Sequence, residues 1–416
     1  MQIIIAIPYS EELKTLGGGE EALLRDVCGV PLLVRIIATG MRAGADHALV
    51  IHREPLSPRV EMTLRKNRIL SRLRALDFVN APRFEPASST SWQKISGCIE
   101  DEFLWLPWNW VTNKHGLTDL KLVQARPQTW DRPLRLTRLG ILSFHQPKQL
   151  PNVLNEGCAV TSQDSVGGAE RGLVAHSGKP LDGIYSKFNR WLCRPLVRVL
   201  THTAVTPNLV TFAGLLVAIV SAYSFARGNY LASLTGALLF FASGLLDEVD
   251  GMLARVRFSD SAFGTWFEGS VDNVSYLILF VGITLGLQKQ RGSHEILLGE
   301  IALFGAILSI ALISWQRKRL THASRPNEYC AKMYGLLEKD RGNWLSRMGR
   351  QLEFLIKKGV FIHYVVLFTA LGLLPVLLRL AAFASNVTWI LVLYFSYRFF
   401  RRREPGAAAV ELSKAA

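Results

Sequence analysis

Along this chain, short apolar runs give way to long ones. Residues 1–180 mix brief apolar stretches with polar ones, whereas much of 205–400 is apolar in extended blocks. Gln2–Ile7 is a continuous apolar run halted by Pro8, the pattern of a buried strand. Val30–Ala43 repeats apolar residues at helical spacing, and Ala48–His52 reads as a second strand. A basic amphipathic helix is expected at about 58–75, a strand near 76–80, and another buried strand over Glu102–Pro107. Strands alternating with helices predict an α/β domain with a largely parallel, Rossmann-type sheet over residues 1–150.

The segment 151–180 is rich in Gly, Ser and Asn and is expected to be a linker. Residues 181–200 alternate bulky apolar and basic residues at helical spacing, which predicts an amphipathic helix on the membrane surface. The alternative is an ordinary surface helix of the α/β domain. Thr206-Pro207-Asn208 opens the first long block, with proline near a helix start, where its missing N–H costs nothing. Six blocks approach the roughly 20 residues that cross a bilayer. They lie at about 207–226, 230–247, 265–287, 297–315, 360–378 and 381–398. The expected fold is therefore multi-domain: an N-terminal α/β domain, then a six-span α-helical membrane domain over 201–403 and a flexible tail at 404–416.

Charge sharpens that picture. The 416-residue chain is 49% hydrophobic with a formal net charge of +15. The excess is segregated to 315–358, to Lys187, Arg190, Arg194 and Arg198 before the first block, and to Arg398 and Arg401–Arg403 after the last. The opposite loops carry little beyond Arg227, Lys289, Arg291 and Arg379. By the positive-inside rule, both termini and the 315–358 loop face the cytoplasm of a multi-pass cell-membrane protein. Basic residues that follow membrane ends exclude a nucleic-acid partner. The five cysteines are scattered without a C-x-x-C pair, so neither a disulfide framework nor a zinc site is expected. Met1–Ile7 reads as a strand and not as a signal peptide.

The candidate chemistry lies in the second and third blocks. Asp247, Asp250, Glu268 and Asp272 interrupt otherwise apolar sequence, where carboxylates are costly and mark function. Asp247 and Asp250 are three apart and share one helix face; Glu268 and Asp272 are four apart and share a face of the next helix. Facing helices would gather the carboxylates around one or two hard cations. Taken alone, such a cluster also fits the polar core of a non-enzymatic, ion-binding membrane protein.

The full pattern is more specific. Asp247-x-x-Asp250-Gly251-x-x-Ala254-Arg255, eight residues, then Gly264-x-x-x-Glu268-x-x-x-Asp272 resembles the signature of the CDP-alcohol phosphotransferases, with Glu268 in place of the third aspartate. Thr206-Pro207-Asn208-Leu-Val-Thr211 resembles that family's start of the first span. The resemblance implies transfer of a phosphoalcohol group from a CDP-linked donor (CDP-diacylglycerol or a CDP-polyol) to an alcohol or polyol-phosphate acceptor, with release of CMP. It implies Mg²⁺ or Mn²⁺ held by Asp247, Asp250, Glu268 and Asp272, with Asp272 as general base. Gly251, Ala254, Arg255 and Gly264 would meet the donor. Lys357 and Lys358, together with Arg317, Lys318 and Arg319, are candidates for an acceptor phosphate, the alternative being positive-inside anchoring. The site would face the cytoplasm among membrane lipids, and a homodimer is common in such proteins.

Gly29-Val-Pro31-Leu-Leu in turn resembles the sugar-phosphate nucleotidyltransferases, as does the strand Ile3-Ile4-Ile5-Ala6 followed by Gly17-Gly18-Gly19. The catalytic part of that pattern is missing. Glu20-Glu21 stand near the expected basic residue, no lysine lies between Gly19 and Gly29, and Trp108-Asn109-Trp110 replaces a metal-binding aspartate after the fourth strand. Acidic groups there repel a triphosphate. The chain thus resembles the bifunctional inositol-phosphate cytidylyltransferase/di-inositol-phosphate phosphate synthases with a degenerate first domain. The alternative is a bifunctional enzyme whose first domain still makes the CDP-alcohol.

Overall fold

The structure is a computed structural model that describes residues 1–15, 18–142, 157–178, 183–320, 332–333, 335–336 and 358–400. The strands are β1 (Gln2–Ile7), β2 (Asp26–Val27), β3 (Val30–Pro31), β4 (His47–His52), β5 (Ala75–Asn80), β6 (Glu102–Trp105), β7 (Trp110–Val111), β8 (Leu122–Val123), β9 (Leu134–Thr137) and β10 (Cys158–Ala159). The first seven helices are α1 (Ser10–Thr15), α2 (Leu32–Arg42), α3 (Pro58–Lys66), α4 (Ser89–Lys94), α5 (Lys114–Thr118), α6 (Arg138–Leu142) and α7 (Gln163–Ala175). The others are α8 (Ile184–Thr201), α9 (Pro207–Ala226), α10 (Tyr230–Arg257), α11 (Ala262–Arg291), α12 (His294–Leu320), α13 (Lys358–Ala370) and α14 (Leu374–Phe400). They form two compact units. The first comprises Met1–Lys179, Arg194–Ala204 and Met252–Ser259; the second holds the rest.

The first unit is built on a six-stranded sheet in the order β5-β4-β1-β6-β9-β8. β5, β4, β1 and β6 are parallel, and β9 joins β6 antiparallel. Central β1 is apolar from Ile3 to Ile7 because both sheet faces are covered. Ile3 and Ile5 enter the core beneath α2, while Ile4 enters a second core around Trp92, Phe103 and Trp105. Two sequence expectations need adjusting. The helix expected at 58–75 ends at Lys66, where Asn67 turns extended and a strand follows at Ala75–Asn80. The segment expected to be a linker contains α7, started by a capping box in which Ser162 and Ser165 bond reciprocally, and secured by buried Val166, Ala169 and Val174.

This unit also includes the last turn of α10. A helix leaves its final carbonyls without intrahelical donors. Here Ser259 N donates to Ala254 O at 3.0 Å, Arg42 to Arg255 O at 2.6 Å, and fully buried Arg35 to Val256 O at 2.9 Å. Both guanidinium groups also lie over the ring of Phe258, 5.2 Å and 4.2 Å from its centroid. Phe258 leaves the helix at φ 56°, the left-handed conformation that ends it.

The second unit is helical. Five helices are long and apolar enough to cross a membrane: α9, α10, α11, α12 and α14. The protein is an integral membrane protein. The expected sixth span is not found among the described residues, where α13 has 13 residues. Those residues make about 20 Å of helix, against a hydrocarbon core of roughly 30 Å. The expected run 360–378 is broken at Gly372, which takes φ 69°. Leu373 N bonds Phe368 O at 2.7 Å and Gly372 N bonds Thr369 O at 3.0 Å, closing a Schellman motif before α14 begins. Leucine and glycine there read as one apolar run, so hydropathy alone hides the stop.

Small residues set the spacing of the spans. A Cβ on Gly282 would strike the carbonyl oxygen of Ala222, and one on Gly286 that of Phe225. This G-x-x-x-G face therefore lets α11 approach the α9 backbone closely, as membrane helices without a hydrophobic drive between them require.

Candidate active site

α10 and α11 bring three of the four expected carboxylates together. Ligand oxygens of Asp247, Asp250 and Glu268 all lie within 4.8 Å of one another. Asp250 is 2% exposed, and its two oxygens differ. Oδ2 accepts a hydrogen bond from the Thr211 hydroxyl of α9 at 2.5 Å. Oδ1 is buried without a hydrogen-bond partner among the described residues. A buried, unsatisfied oxygen on a carboxylate that lies close to two others fits a divalent cation, because hard cations take several oxygen ligands. Asp247, Asp250 and Glu268 are thus a group of carboxylates that could hold a divalent cation.

Each flank has a local cause. Asp247 and Asp250 project from adjacent turns of α10, and Ser243, one turn earlier, donates to Gly214 O of α9 at 2.8 Å. Ser261 caps α11 by accepting from Gly264 N at 2.9 Å. A Cβ on Gly264 would lie 3.2 Å from Asn208 Oδ1, so glycine allows the first turn of α11 to sit against the start of α9. Asp272 lies one turn beyond Glu268, half-buried and outside the mutually close trio. Gly251 follows Asp250 in α10.

Other expected residues are distributed differently. Ala254 and Arg255 belong to the first unit, where Arg255 Nε donates to Ser177 O at 2.6 Å. Lys357 and the Lys358 side chain lie outside the described residues. Arg317 of α12 reaches toward α11, since a Cβ on Gly269 would be 3.9 Å from its guanidinium. In the sequence Thr211 stands out only within the Thr206–Thr211 motif; its hydrogen bond to Asp250, 39 positions away, emerges only in the fold.

In the first unit, acidic side chains accept from backbone N–H groups after β1 and at the start of α3. Glu54 accepts from the Ser10 backbone N–H at 3.1 Å and from the Ser10 hydroxyl. These two bonds hold its carboxyl below the usual range. Glu20 accepts from Ser57 N at 3.1 Å, at the start of α3. A second acidic group, Asp26, Glu170 and His202, is already used internally: Glu170 accepts from Cys28 N at 2.8 Å and pairs with His202 at 3.2 Å.

The fold and the site define a polytopic membrane protein with a cluster of carboxylates between two apolar helices. Residues 204–334 match the CDP-alcohol phosphatidyltransferase family, so the C-terminal half of the chain carries a domain of that family. The chain is similar to archaetidylinositol phosphate synthase of Methanothermobacter thermautotrophicus, 29% identical over 192 residues that cover 45% of this chain and 90% of that protein. It is 33% identical over 104 residues to a protein of the same name from Pyrococcus horikoshii, covering 24% of this chain and 54% of that one. It is also similar to the bifunctional IPC transferase and DIPP synthase of Aquifex aeolicus, 23% identical over 46% of this chain and 39% of that protein. The chain is thus a membrane phosphoalcohol transferase of lipid biosynthesis, using a CDP-linked donor and an alcohol acceptor.

Proposed function

We propose that this enzyme transfers a phosphatidyl-type group from a CDP-linked lipid to a polyol phosphate and releases CMP on the cytoplasmic side. Two relatives named for archaetidylinositol phosphate support a lipid donor and a phosphorylated polyol acceptor. The observation that carries the reading is the Asp247–Asp250–Glu268 trio with its unpartnered Asp250 oxygen.

In this reading Mg²⁺ or Mn²⁺ supplies charge compensation for the donor diphosphate. Asp247, Asp250 and Glu268 hold it, and Asp272 joins as a ligand. Asp272 also takes the proton from the acceptor hydroxyl as that oxygen attacks the phosphorus next to the lipid. The bond from this phosphorus to the bridging oxygen breaks, and CMP leaves. Gly251, Ala254 and Gly264 leave room for the donor, and Arg255 turns to its diphosphate. Arg317, Lys357 and Lys358 hold the acceptor phosphate. The approach of Arg317 to Gly269, beside Glu268, supports that assignment. Residues 1–150 are read as a domain that does not transfer nucleotides, and the acidic Glu54 and Glu20, which accept from the Ser10 and Ser57 backbone N–H groups, support that reading.

The test is CMP release by the purified full chain with Mg²⁺, offered CDP-diacylglycerol, its diether counterpart and CDP-polyols against inositol phosphate, inositol and glycerol phosphate. Release with a lipid donor and a phosphorylated polyol, lost in Asp272→Asn, is expected. Equal release with unphosphorylated acceptors overturns the acceptor assignment, and CTP-dependent pyrophosphate release overturns that of residues 1–150.

A further inference from the structure

Glu248 lies inside the signature, between Asp247 and Asp250, at a position the signature leaves open. Arg190 of α8 donates through Nε to Glu248 Oε2 at 2.8 Å. The two side chains are only 8% and 15% exposed. We propose that this pair is a clamp that sets the rotation of α10, making Arg190 a positioning residue for the transferase centre. The proposal rests on the reading of Asp247, Asp250 and Glu268 as that centre.

The geometry points to rotation. Successive helix residues are about 100° apart around the axis. Glu248 therefore leaves α10 away from Asp247 and Asp250, and a strong directional bond there fixes where both point. Neighbouring contacts hold α8 in register. Asn189 Nδ2 donates to Gly359 O of α13 at 3.1 Å, and Cys193 Sγ lies 3.4 Å from Leu245 O of α10. Ser186, Asn189, Arg190 and Cys193 follow i, i+3, i+4, i+7 spacing, one continuous face. Gly359 keeps the crossing close, since a Cβ there would stand 3.0 Å from Ser186 Oγ and 3.8 Å from Glu248 Oε1. The same side of α10 carries Gly244, where a Cβ would come within 2.8 Å of Ile362.

Electrostatics give the pair a second role. Glu248 adds another carboxylate beside the metal ligands, and the Arg190 guanidinium neutralises it. The cation field is then set by the trio. A purely structural crossing gains little from such an ion pair, because apolar residues of similar volume pack at least as well.

The test uses the full chain in lipid–detergent micelles. It compares Arg190→Ala, Arg190→Lys, Glu248→Ala, the double alanine variant and the exchanged pair R190E/E248R. CMP release from CDP-diacylglycerol with inositol phosphate is followed against Mg²⁺, alongside thermal unfolding. A positioning role predicts kcat lower by about tenfold to a hundredfold in each single alanine variant, as small misplacements cost. Donor KM stays within about twofold. The double variant is no worse than the poorer single one, and the exchanged pair regains activity. Single variants that melt earlier but keep wild-type kcat overturn the proposal, as does Arg190→Lys, which keeps its fold and charge, losing activity as fully as alanine. Release that survives Asp272→Asn overturns the underlying reading instead, whatever the Arg190 variants do.

Discussion

The Thr211 hydroxyl of α9 reaches Asp250 Oδ2 of α10 at 2.5 Å, while Oδ1 of this residue, whose carboxylate clusters with Asp247 and Glu268, has no hydrogen-bond partner among the described residues. A hydrogen bond to a charged group is worth about 1.5–3 kcal/mol. Thr211→Val should therefore lower activity by roughly tenfold to a hundredfold, with the loss largest at limiting Mg²⁺. Thr211→Ser, which keeps the hydroxyl, should stay near wild type. Titrating CMP release against Mg²⁺ for both variants checks this, and equal activity of Thr211→Val at low metal contradicts it.

Glu268 stands where the signature has aspartate, and its oxygens still come within 4.8 Å of both α10 aspartates. The extra methylene thus leaves the trio closed and alters its size. Mg²⁺ demands near-ideal octahedral geometry, whereas larger cations tolerate more variation. Glu268→Asp should remain active but shift the ratio of Mg²⁺- to Mn²⁺-supported rates, and Glu268→Gln should lose most activity with either ion. An unchanged ratio in Glu268→Asp contradicts a ligand role.

Gly286 is pressed against the α9 backbone at Phe225 O. Gly286→Leu should force α9 and α11 apart and destabilise the fold by about 1–3 kcal/mol or more. Lower thermal stability in detergent is expected, with activity falling in step because Thr211 and Glu268 ride on the separated helices. A stable variant with full activity contradicts the packing described here.

Cysteine labelling probes the first unit. Burial pushes the Cys28 thiol up to about 12, and Arg35 offsets only part of this. Thiolate, not thiol, is the nucleophile. Maleimide at neutral pH should mark exposed Cys98 quickly and leave buried Cys28 unmodified until denaturant is added. Because the folded pKa is raised from an unfolded value of 9.0, burial favours the folded state below that pH, and its contribution is lost as pH rises toward 12. Rapid labelling of Cys28 in the folded protein contradicts the burial.

The sequence revealed most where a pattern had one meaning. Alternating short strands and helices marked the α/β unit, and carboxylates on adjacent apolar helices marked the cluster of Asp247, Asp250 and Glu268. It was less legible where apolar residues do two jobs. Gly372 ends a helix inside an unbroken apolar run, so the boundary of α13 and α14 lies in backbone conformation and not in hydropathy. Long-range polar contacts were invisible for another reason. Thr211 and Asp250 are 39 positions apart, and Arg190 and Glu248 are 58 apart; only the folded chain brings them together. α7 was hidden by glycines of low helix propensity, which its capping box and buried face override.

The most direct test measures Mn²⁺ binding and CMP release together in wild type, Asp247→Asn, Asp250→Asn and Glu268→Gln. Spectroscopy follows the bound ion, and CDP-diacylglycerol serves as donor with inositol phosphate as acceptor. Each variant should fold, bind Mn²⁺ at least about tenfold more weakly and lose CMP release in parallel. Variants that keep releasing CMP, or a wild type that binds Mn²⁺ with no contribution from these three carboxylates, would contradict a metal-dependent transferase centre between α10 and α11.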